Sequence, residues 1–308
     1  MKNREQFRGV GVALVTPFKS DGSLDEASLE RLVDFQIEEG TNFLVPCGTT
    51  GENPALSQEE HRRVVEIVVR RAGGRVPVLA GAGGNNTQKA IELALLAIDL
   101  GADGALTITP YYNKPTPDGL RRHFGLQADA VEKKRPGFPM IMYNVPGRTG
   151  VNMTAATTLQ IAREVPNVVG VKEASGNMEQ ILSILRDRHN GFLVLSGDDA
   201  WTLPLVAAGG DGIISVAANE IPRLMSDMTT AALKGDLENA RAVHNRILPL
   251  MTGNFIESNP IPVKAAMKML GIIPTDTVRS PLAPITDANR KKLEAVLREC
   301  GLKLKAVA

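Results

Sequence analysis

The feature that most limits the fold of this chain is an eightfold alternation between short apolar runs and longer amphipathic stretches. The apolar runs lack a two-residue alternation of polar and apolar side chains, which is typical of parallel strands covered on both faces. Eight such units could also form an open doubly wound sheet, but their spacing of roughly 20–35 residues and the total length favour a closed α/β barrel, the (β/α)8 TIM barrel. The predicted strands cover residues 9–17, 42–45, 76–80, 104–109, 139–142, 168–171, 192–195 and 212–216.

Capping residues mark where several of the helices begin. Asp25 precedes the first amphipathic stretch, and Ser57 is followed three residues later by Glu60, the spacing of a capping box. Thr154 opens a further helical pattern. These residues predict helices that start directly after them.

The strand signal disappears beyond about residue 230. Helical patterns at 236–250, 263–270 and 287–300 follow, interrupted by prolines. They predict a small C-terminal helical extension. The predicted organisation is therefore a barrel domain over residues 1–230 and a helical domain over residues 231–308.

Charge and composition argue against nucleic-acid and membrane partners. The 308 residues include 35 basic and 34 acidic side chains, a net charge of +1, whereas binding a polyanion requires a concentrated basic surface. The apolar runs fall short of the ~18 residues needed to cross a bilayer, and no cleavage site follows the basic start of the chain. The two cysteines, Cys47 and Cys300, form no disulfide framework, which favours a reducing compartment. We therefore expect a cytoplasmic protein.

Neither a metal site nor a cofactor motif is evident. Asp198 and Asp199 could bind a divalent cation, but the N-cap of the following helix is the favoured role. No histidine pair has the spacing of metal ligands, and His61 and His123 are expected on helix surfaces. We expect no cofactor and no metal. The four histidines, all placed on predicted helices, are His61, His123, His189 and His244.

Lys172 follows the sixth predicted strand directly, which places an amine at the carboxyl end of a barrel, where working residues lie in this architecture. Burial lowers the pKa of a lysine towards that of a neutral amine, the form that makes an imine with a ketone. The alternative is a structural lysine paired with a carboxylate on the rim, such as that of Glu173. Position alone leaves both interpretations open.

The three tyrosines of the chain, Tyr111, Tyr112 and Tyr143, all lie at the ends of the fourth and fifth predicted strands. Tyr143 is expected to face the barrel axis, where its phenol could pass a proton to and from a carbinolamine on Lys172. For Tyr111 a half-buried structural role is favoured.

Groups that could bind carboxylates follow two of the strands. Thr49 and Thr50, flanked by Gly48 and Gly51, offer hydroxyl and backbone N–H groups, although such a turn can also simply cap a helix. Arg148 follows Pro146-Gly147 on a short loop and could bind a second carboxylate in a bidentate way, although most loop arginines are merely solvated.

Several segments together resemble one enzyme family, the dihydrodipicolinate synthases of the pyruvate-dependent class I aldolases and lyases. The likeness runs from about residue 9 to residue 288, with the motifs in order at matching strand ends. The segments that carry it are 48–52 (GTTGE), 111–112 (YY), 143–150 (YNVPGRTG), 171–177 (VKEASGN), 196–199 (SGDD) and 259–264 (NPIPVK).

The resemblance implies condensation of pyruvate with L-aspartate 4-semialdehyde to 4-hydroxy-tetrahydrodipicolinate, a branch-point step of diaminopimelate and lysine biosynthesis. Lys172 would form the Schiff base with pyruvate, and Tyr143 would donate and accept protons. It also implies a homotetramer built as a dimer of dimers.

The remaining site residues follow from the same resemblance. Thr50 would relay protons to Tyr112 of a neighbouring subunit, and Thr49 and Thr50 would hold the pyruvate carboxylate. The backbone of Ile214 and the nearby Gly197 would complete the pyruvate pocket. Arg148 would bind the carboxylate of the semialdehyde.

The resemblance fails at one regulatory position. Relatives inhibited by lysine carry a histidine or similar polar group, and an acid, in the loops beside Tyr111. Lys89 stands where the acid would bind the amine of the effector, so we expect weak or absent feedback inhibition. The matching places hold Asn53, Pro54, Gln58 and Lys89, whereas His61, Asn85 and Tyr111 are kept.

Other functions remain open from the sequence. Lys172 and Tyr143 would serve equally in a sister aldolase, such as N-acetylneuraminate lyase or a 2-keto-3-deoxy sugar-acid aldolase, although Arg148, the threonines and Tyr112 favour the semialdehyde. A more remote alternative is a non-catalytic barrel that binds a keto acid. A metal-dependent hydrolase is disfavoured because the chain offers no suitable ligands.

Overall fold

A parallel eight-stranded barrel forms the centre of the protein in a computed structural model, which describes residues 4–305. Its strands, β1 to β8 in chain order, are Gly9–Ala13, Phe43–Val45, Leu79–Gly81, Gly104–Ile108, Met140–Asn144, Val168–Glu173, Leu193–Ser196 and Gly212–Ser215. Their spatial order is β2-β1-β8-β7-β6-β5-β4-β3, and a parallel bridge between Leu44 and Val78 joins the two outer strands. The predicted TIM barrel is confirmed.

Helices alternate with the strands and then continue beyond β8. The α-helices of the described chain, α1 to α12, are Glu26–Glu38, Gln58–Ala72, Thr87–Asp99, Pro117–Lys134, Pro146–Thr149, Ala155–Glu164, Met178–Asp187, Thr202–Ala207, Pro222–Leu233, Leu237–Gly253, Ile261–Met269 and Asp287–Glu299. Short 3-10 helices occupy Arg4–Phe7, Asn53–Ala55, Asp199–Trp201 and Ala217–Asn219. None of the helices within residues 4–305 has the length and apolarity that crossing a membrane requires.

The predicted helix caps are present. The Asp25 carboxylate accepts a hydrogen bond from the Ser28 N–H, and Ser57 and Glu60 form both hydrogen bonds of a capping box. The hydroxyl of Thr154 accepts from the Thr157 N–H. These side chains satisfy backbone donors that a helix start leaves unpaired, and so fix where α1, α2 and α6 begin.

The C-terminal helices share a core with the barrel. Ile247 of α10, Met267 of α11 and Leu293 of α12 are fully buried in one apolar cluster, which also contains Val10 and Val12 of β1. The boundary near residue 230 remains a prediction. This shared packing brings α11 close to the loops that follow the strands.

Strands β5 and β6 extend two residues beyond their predicted ends, so Tyr143 and Lys172 lie within strands rather than after them. Pairing continues through Tyr143 with Lys172 and Asn144 with Glu173. Backbone hydrogen bonding does not require apolar side chains, and the apolar run alone therefore underestimates the strand. Both residues therefore lie in hydrogen-bonded strands, which are more rigid than the loops where the sequence placed them.

Two expectations about histidines are wrong. His61 and His123 are each only 4% exposed, because His61 bonds the Gly81 carbonyl and His123 bonds the Thr87 hydroxyl. His189 lies after the end of α7 rather than on a helix. Polar ring atoms that find a partner inside the protein allow burial that the sequence pattern does not reveal.

Candidate active site

Lys172 and Tyr143 lie opposite each other on neighbouring strands. They are register partners in the β5–β6 pairing, and the Lys172 amine is 4.2 Å from the centroid of the Tyr143 ring. The two residues are only 5% and 7% exposed. An amine and a phenol are therefore held together by two paired strands, as the sequence predicted.

Glu173 does not pair with Lys172, which argues against the structural-lysine alternative. Successive side chains of a strand point to opposite faces, so Glu173 turns away from its neighbour. Its carboxylate accepts hydrogen bonds from Asn144 Nδ2, Gln180 Nε2 and the Ser175 N–H. Among the residues that the structure describes, no carboxylate forms an ion pair with Lys172.

Burial lowers the pKa of Lys172 to about 7, with the Arg148 charge acting in the same direction and the Asp199 charge opposing both. Much of the amine is therefore neutral near neutral pH and able to attack a ketone. Burial also raises the pKa of Tyr143 to about 12, although Arg148 and the hydrogen bond with Thr49 oppose the rise. The phenol thus remains protonated and can donate.

Asp199 organises the adjoining strand ends. Its carboxylate accepts hydrogen bonds from the Ser215 hydroxyl and from the N–H groups of Val216 and Ala217, each N–H at 3.1 Å. Asp198 caps the short helix that follows β7 by accepting from the Ala200 N–H, the role favoured from the sequence. Residues 4–305 contain no cluster of three or more acids, histidines or cysteines suited to a metal ion. The sequence did not predict that Asp199, which follows β7, is hydrogen-bonded to the end of β8.

The structure places Thr49 and Thr50 in different surroundings. The Thr49 side chain lines the same cavity as Tyr143 and acts to lower the pKa of the phenol. Thr50 is 2% exposed and its hydroxyl accepts from Asn259 Nδ2 at 2.9 Å. The structure thus brings Thr49, rather than Thr50, to the cavity beside the phenol, because neighbouring side chains in a turn leave in different directions.

A cavity of about 250 Å³ opens in front of Tyr143. Thr49, Tyr111 and Arg148 line it together with the phenol, whereas Lys172 and Thr50 are not among its lining residues. Arg148 lies near the end of α5, and its guanidinium reaches the Asn259 carbonyl at 3.5 Å. The cavity therefore offers one fixed cation and several hydroxyl groups to a small anionic molecule.

Gly197 and Ile214 lie at the ends of β7 and β8. A Cβ atom at Gly197 would come within 3.1 Å of Lys172 Cε and 2.7 Å of Ala174 Cβ, so only glycine leaves room beside the lysine stem. Ile214 is fully buried within the barrel. Gly197 thus borders Lys172 as expected, and Ile214 helps to fill the barrel interior.

Tyr112 is the most exposed large apolar side chain of the described chain, at 88%. Its φ of +74° lies in the left-handed region, which is costly for a residue with a Cβ atom. Tyr112 is not among the residues that line the cavity. An exposed aromatic in a strained backbone conformation is consistent with contact to another copy of the chain.

A second cavity, of about 630 Å³, lies behind Tyr111. It is lined by the residues at the expected regulatory positions, including Gln58, His61, Asn85 and Lys89. His61 Nδ1 is buried there without a hydrogen-bond partner in the described chain. The cavity is present, and Lys89 contributes positive charge to its wall.

Comparisons with known proteins agree with this geometry. The family model described as "Dihydrodipicolinate synthetase family" matches residues 6–300. A 4-hydroxy-tetrahydrodipicolinate synthase from Koribacter versatilis is 50% identical, covering 96% of this chain and 97% of its own. The crystal structure of dihydrodipicolinate synthase from Aquifex aeolicus superposes with a TM-score of 0.93 at 45% identity, covering 97% and 100% of the two chains. The enzyme from Acinetobacter baumannii, complexed with pyruvate, gives 0.92 at 44% identity over 96% and 99%.

Proposed function

This chain belongs to the dihydrodipicolinate synthetase family, and we propose that it condenses pyruvate with L-aspartate 4-semialdehyde through a Schiff base on Lys172. The enzyme is a lyase, and its product is 4-hydroxy-tetrahydrodipicolinate, in the diaminopimelate and lysine pathway. The observation that carries the assignment of the chemistry is the buried Lys172 amine, with a pKa lowered to about 7, beside the Tyr143 phenol.

The reaction begins when the neutral Lys172 amine attacks the ketone carbon of pyruvate. The carbinolamine loses water to give an iminium, which withdraws electrons so that a methyl proton can leave. The resulting enamine attacks the aldehyde carbon and forms the new carbon–carbon bond. The amine of the second substrate then adds to the imine carbon, closes the ring and releases Lys172. No external oxidant or reductant is needed.

Tyr143 transfers the protons of these steps. Its phenol remains protonated near neutral pH and lies beside the amine, so it can protonate the departing hydroxyl of the carbinolamine. Because Thr49 lines the cavity with Tyr143, we propose Thr49 rather than Thr50 as the next member of the relay. Tyr112 of a neighbouring subunit would complete it.

The substrate carboxylates have separate partners. Thr49 and Thr50, with the N–H groups of their turn, would hold the pyruvate carboxylate, and the Ile214 backbone and Gly197 would border the pyruvate near Lys172. Arg148 lines the cavity and would bind the carboxylate of the semialdehyde in a bidentate way. The two substrates are thereby oriented for attack, which supplies much of the rate enhancement.

The exposed ring of Tyr112 supports a homotetramer built as a dimer of dimers, in which this tyrosine reaches the cavity of an adjacent subunit. The partners are otherwise small-molecule substrates. We place the enzyme in the cytoplasm because its proposed substrates are intermediates of amino-acid metabolism.

A direct assay separates the proposed reaction from that of a sister aldolase. Purified enzyme is given pyruvate with aspartate 4-semialdehyde, or instead N-acetylneuraminate or a 2-keto-3-deoxy sugar acid. We expect turnover only in the mixture of pyruvate and aspartate 4-semialdehyde. Preferential turnover of a sugar acid would contradict the substrate assignment, and pyruvate binding without turnover would indicate the non-catalytic barrel.

A further inference from the structure

A group of four charged side chains, two of them buried and two partly exposed, lies beside the turn that carries the two threonines, residues 48–52, which we call the threonine turn. Lys264 Nζ donates to the Glu52 carboxylate, and the two side chains are 0% and 2% exposed. Arg279 forms a second ion pair with Glu60 at 2.6 Å. Two acids balance two bases, so the group buries no net charge.

Phe18 packs against both cations of this group. The ring centroid lies 4.2 Å from Lys264 Nζ and 4.2 Å from Arg279 Cζ. Contact with the ring face favours a cation that has lost its water. Lys264 also donates to the Thr277 carbonyl at 2.9 Å, so its amine has little freedom to move.

Glu52 ends the threonine turn in a strained conformation. Its φ of +54° is in the left-handed region, which non-glycine residues adopt only when their surroundings require it. One carboxylate oxygen binds Lys264, and the other accepts from the Arg279 N–H at 2.9 Å. The Glu52 N–H donates to the Thr49 carbonyl at 3.0 Å. Anchoring Glu52 therefore also anchors Thr49.

Asn259 provides a second attachment from the same C-terminal element. It lies two residues before α11, the helix that carries Lys264, and its side chain donates to the Thr50 hydroxyl at 2.9 Å. Its carbonyl accepts from Arg148 at 3.5 Å. The start of α11 thus contacts both the threonine turn and the guanidinium that faces the cavity.

We propose that Asn259 and the Lys264–Glu52 ion pair are positioning residues for the condensation, holding the threonine turn so that Thr49 remains beside Tyr143 in the cavity. An apolar contact would tolerate sliding of the turn, whereas a shift here would leave two buried charges without partners. The inference rests on the proposed function, because it assigns Thr49 a part in the proton transfers at Lys172.

The double variant Glu52→Gln/Lys264→Met tests the ion pair. It removes both charges together, so no unpaired charge is buried and the fold is expected to survive. We expect a melting temperature near that of the wild type, but a kcat about 10²-fold lower, the cost of a small misplacement of a reacting group. Deuterium exchange into the pyruvate methyl group, which depends on proton transfer but not on the second substrate, should slow in parallel.

Lys268→Met is the matched control. Lys268 lies on the same helix but is 45% exposed, and its amine pairs at 2.8 Å with Asp276, which lies outside the threonine turn. We expect this variant to keep the wild-type kcat and the wild-type rate of deuterium exchange into pyruvate. The Lys268→Met variant thus tests whether loss of any ion pair of α11 lowers kcat.

Asn259→Ala tests the hydrogen bond between Asn259 and Thr50. Because this variant buries no unpaired charge, it can test the inference even if the double variant does not fold. We expect about a tenfold loss of kcat, the effect of one hydrogen bond of roughly 1.4 kcal/mol. Wild-type kcat and exchange in either folded variant would overturn the inference. Failure of the wild type to form a pyruvate adduct would instead reject the proposed function itself.

Discussion

The Lys172 amine lies 4.2 Å from the ring centroid of Tyr143, its register partner on the adjacent strand. Backbone pairing thus fixes the spacing between the proposed nucleophile and the proposed proton donor. Groups on strands are held more precisely than groups on loops.

Tyr143→Phe removes the phenolic oxygen while keeping the ring that contacts Lys172. We expect kcat to fall about 10²–10⁴-fold, the usual contribution of a positioned acid or base. The variant should still bind pyruvate, because Thr49, Thr50 and Lys172 are unchanged. Steady-state kinetics measures both effects, and a variant with wild-type kcat would remove Tyr143 from the proton transfers.

Thr49→Val and Thr50→Val form a matched pair, since each replaces one hydroxyl by a methyl group in the same turn. We expect Thr49→Val to lower kcat about 10²-fold, because it removes the hydroxyl that lies beside the phenol. Thr50→Val should raise the KM for pyruvate about tenfold for one lost hydrogen bond, and should lower kcat by about the same factor as Asn259→Ala, because it removes the partner of Asn259. The reverse pattern would restore the relay role first predicted for Thr50.

Tyr112→Phe tests whether a second subunit completes the site. The side chain is 88% exposed in the single chain, so the melting temperature should not change. We expect a lower kcat, and in the wild type a loss of activity per subunit on dilution, when the assembly dissociates. Wild-type kcat in the variant, together with activity independent of concentration, would show that each subunit acts alone.

Lysine should inhibit the enzyme weakly or not at all, because Lys89 adds positive charge to the cavity behind Tyr111. Titration of purified enzyme with L-lysine measures this directly. Lys89→Glu reverses the charge and should make inhibition stronger. Half-inhibition of the wild type by submillimolar lysine would contradict the prediction.

The sequence predicted the barrel and the central pair well because both depend on local patterns. Eight apolar runs specify eight strands, and a lysine and a tyrosine at strand ends converge at one end of any parallel barrel. The partners of the threonines could not be predicted in this way. Thr50 and Asn259 are 209 residues apart in the chain, and only the packing of α11 against the barrel brings them together.

The burial of Glu52 and Lys264 was likewise not evident from the sequence. Each is a charged residue, expected on a surface, and 212 residues separate them. Both lie within segments that resemble the family motifs, which was the available signal. The choice between Thr49 and Thr50 depended on side-chain direction within one turn, which residue type cannot specify.

The most direct test of the account is borohydride reduction of the enzyme in the presence of pyruvate, followed by peptide mapping across a range of pH. We predict one pyruvyl adduct, on the peptide that contains Lys172, with a rate of formation that rises through pH 7 and levels off above it, because the amine is neutral above its lowered pKa. An ordinary exposed lysine would keep gaining reactivity up to a pH of about 10.4. Absence of the adduct from that peptide, or a rate that still rises steeply above pH 9, would contradict the account.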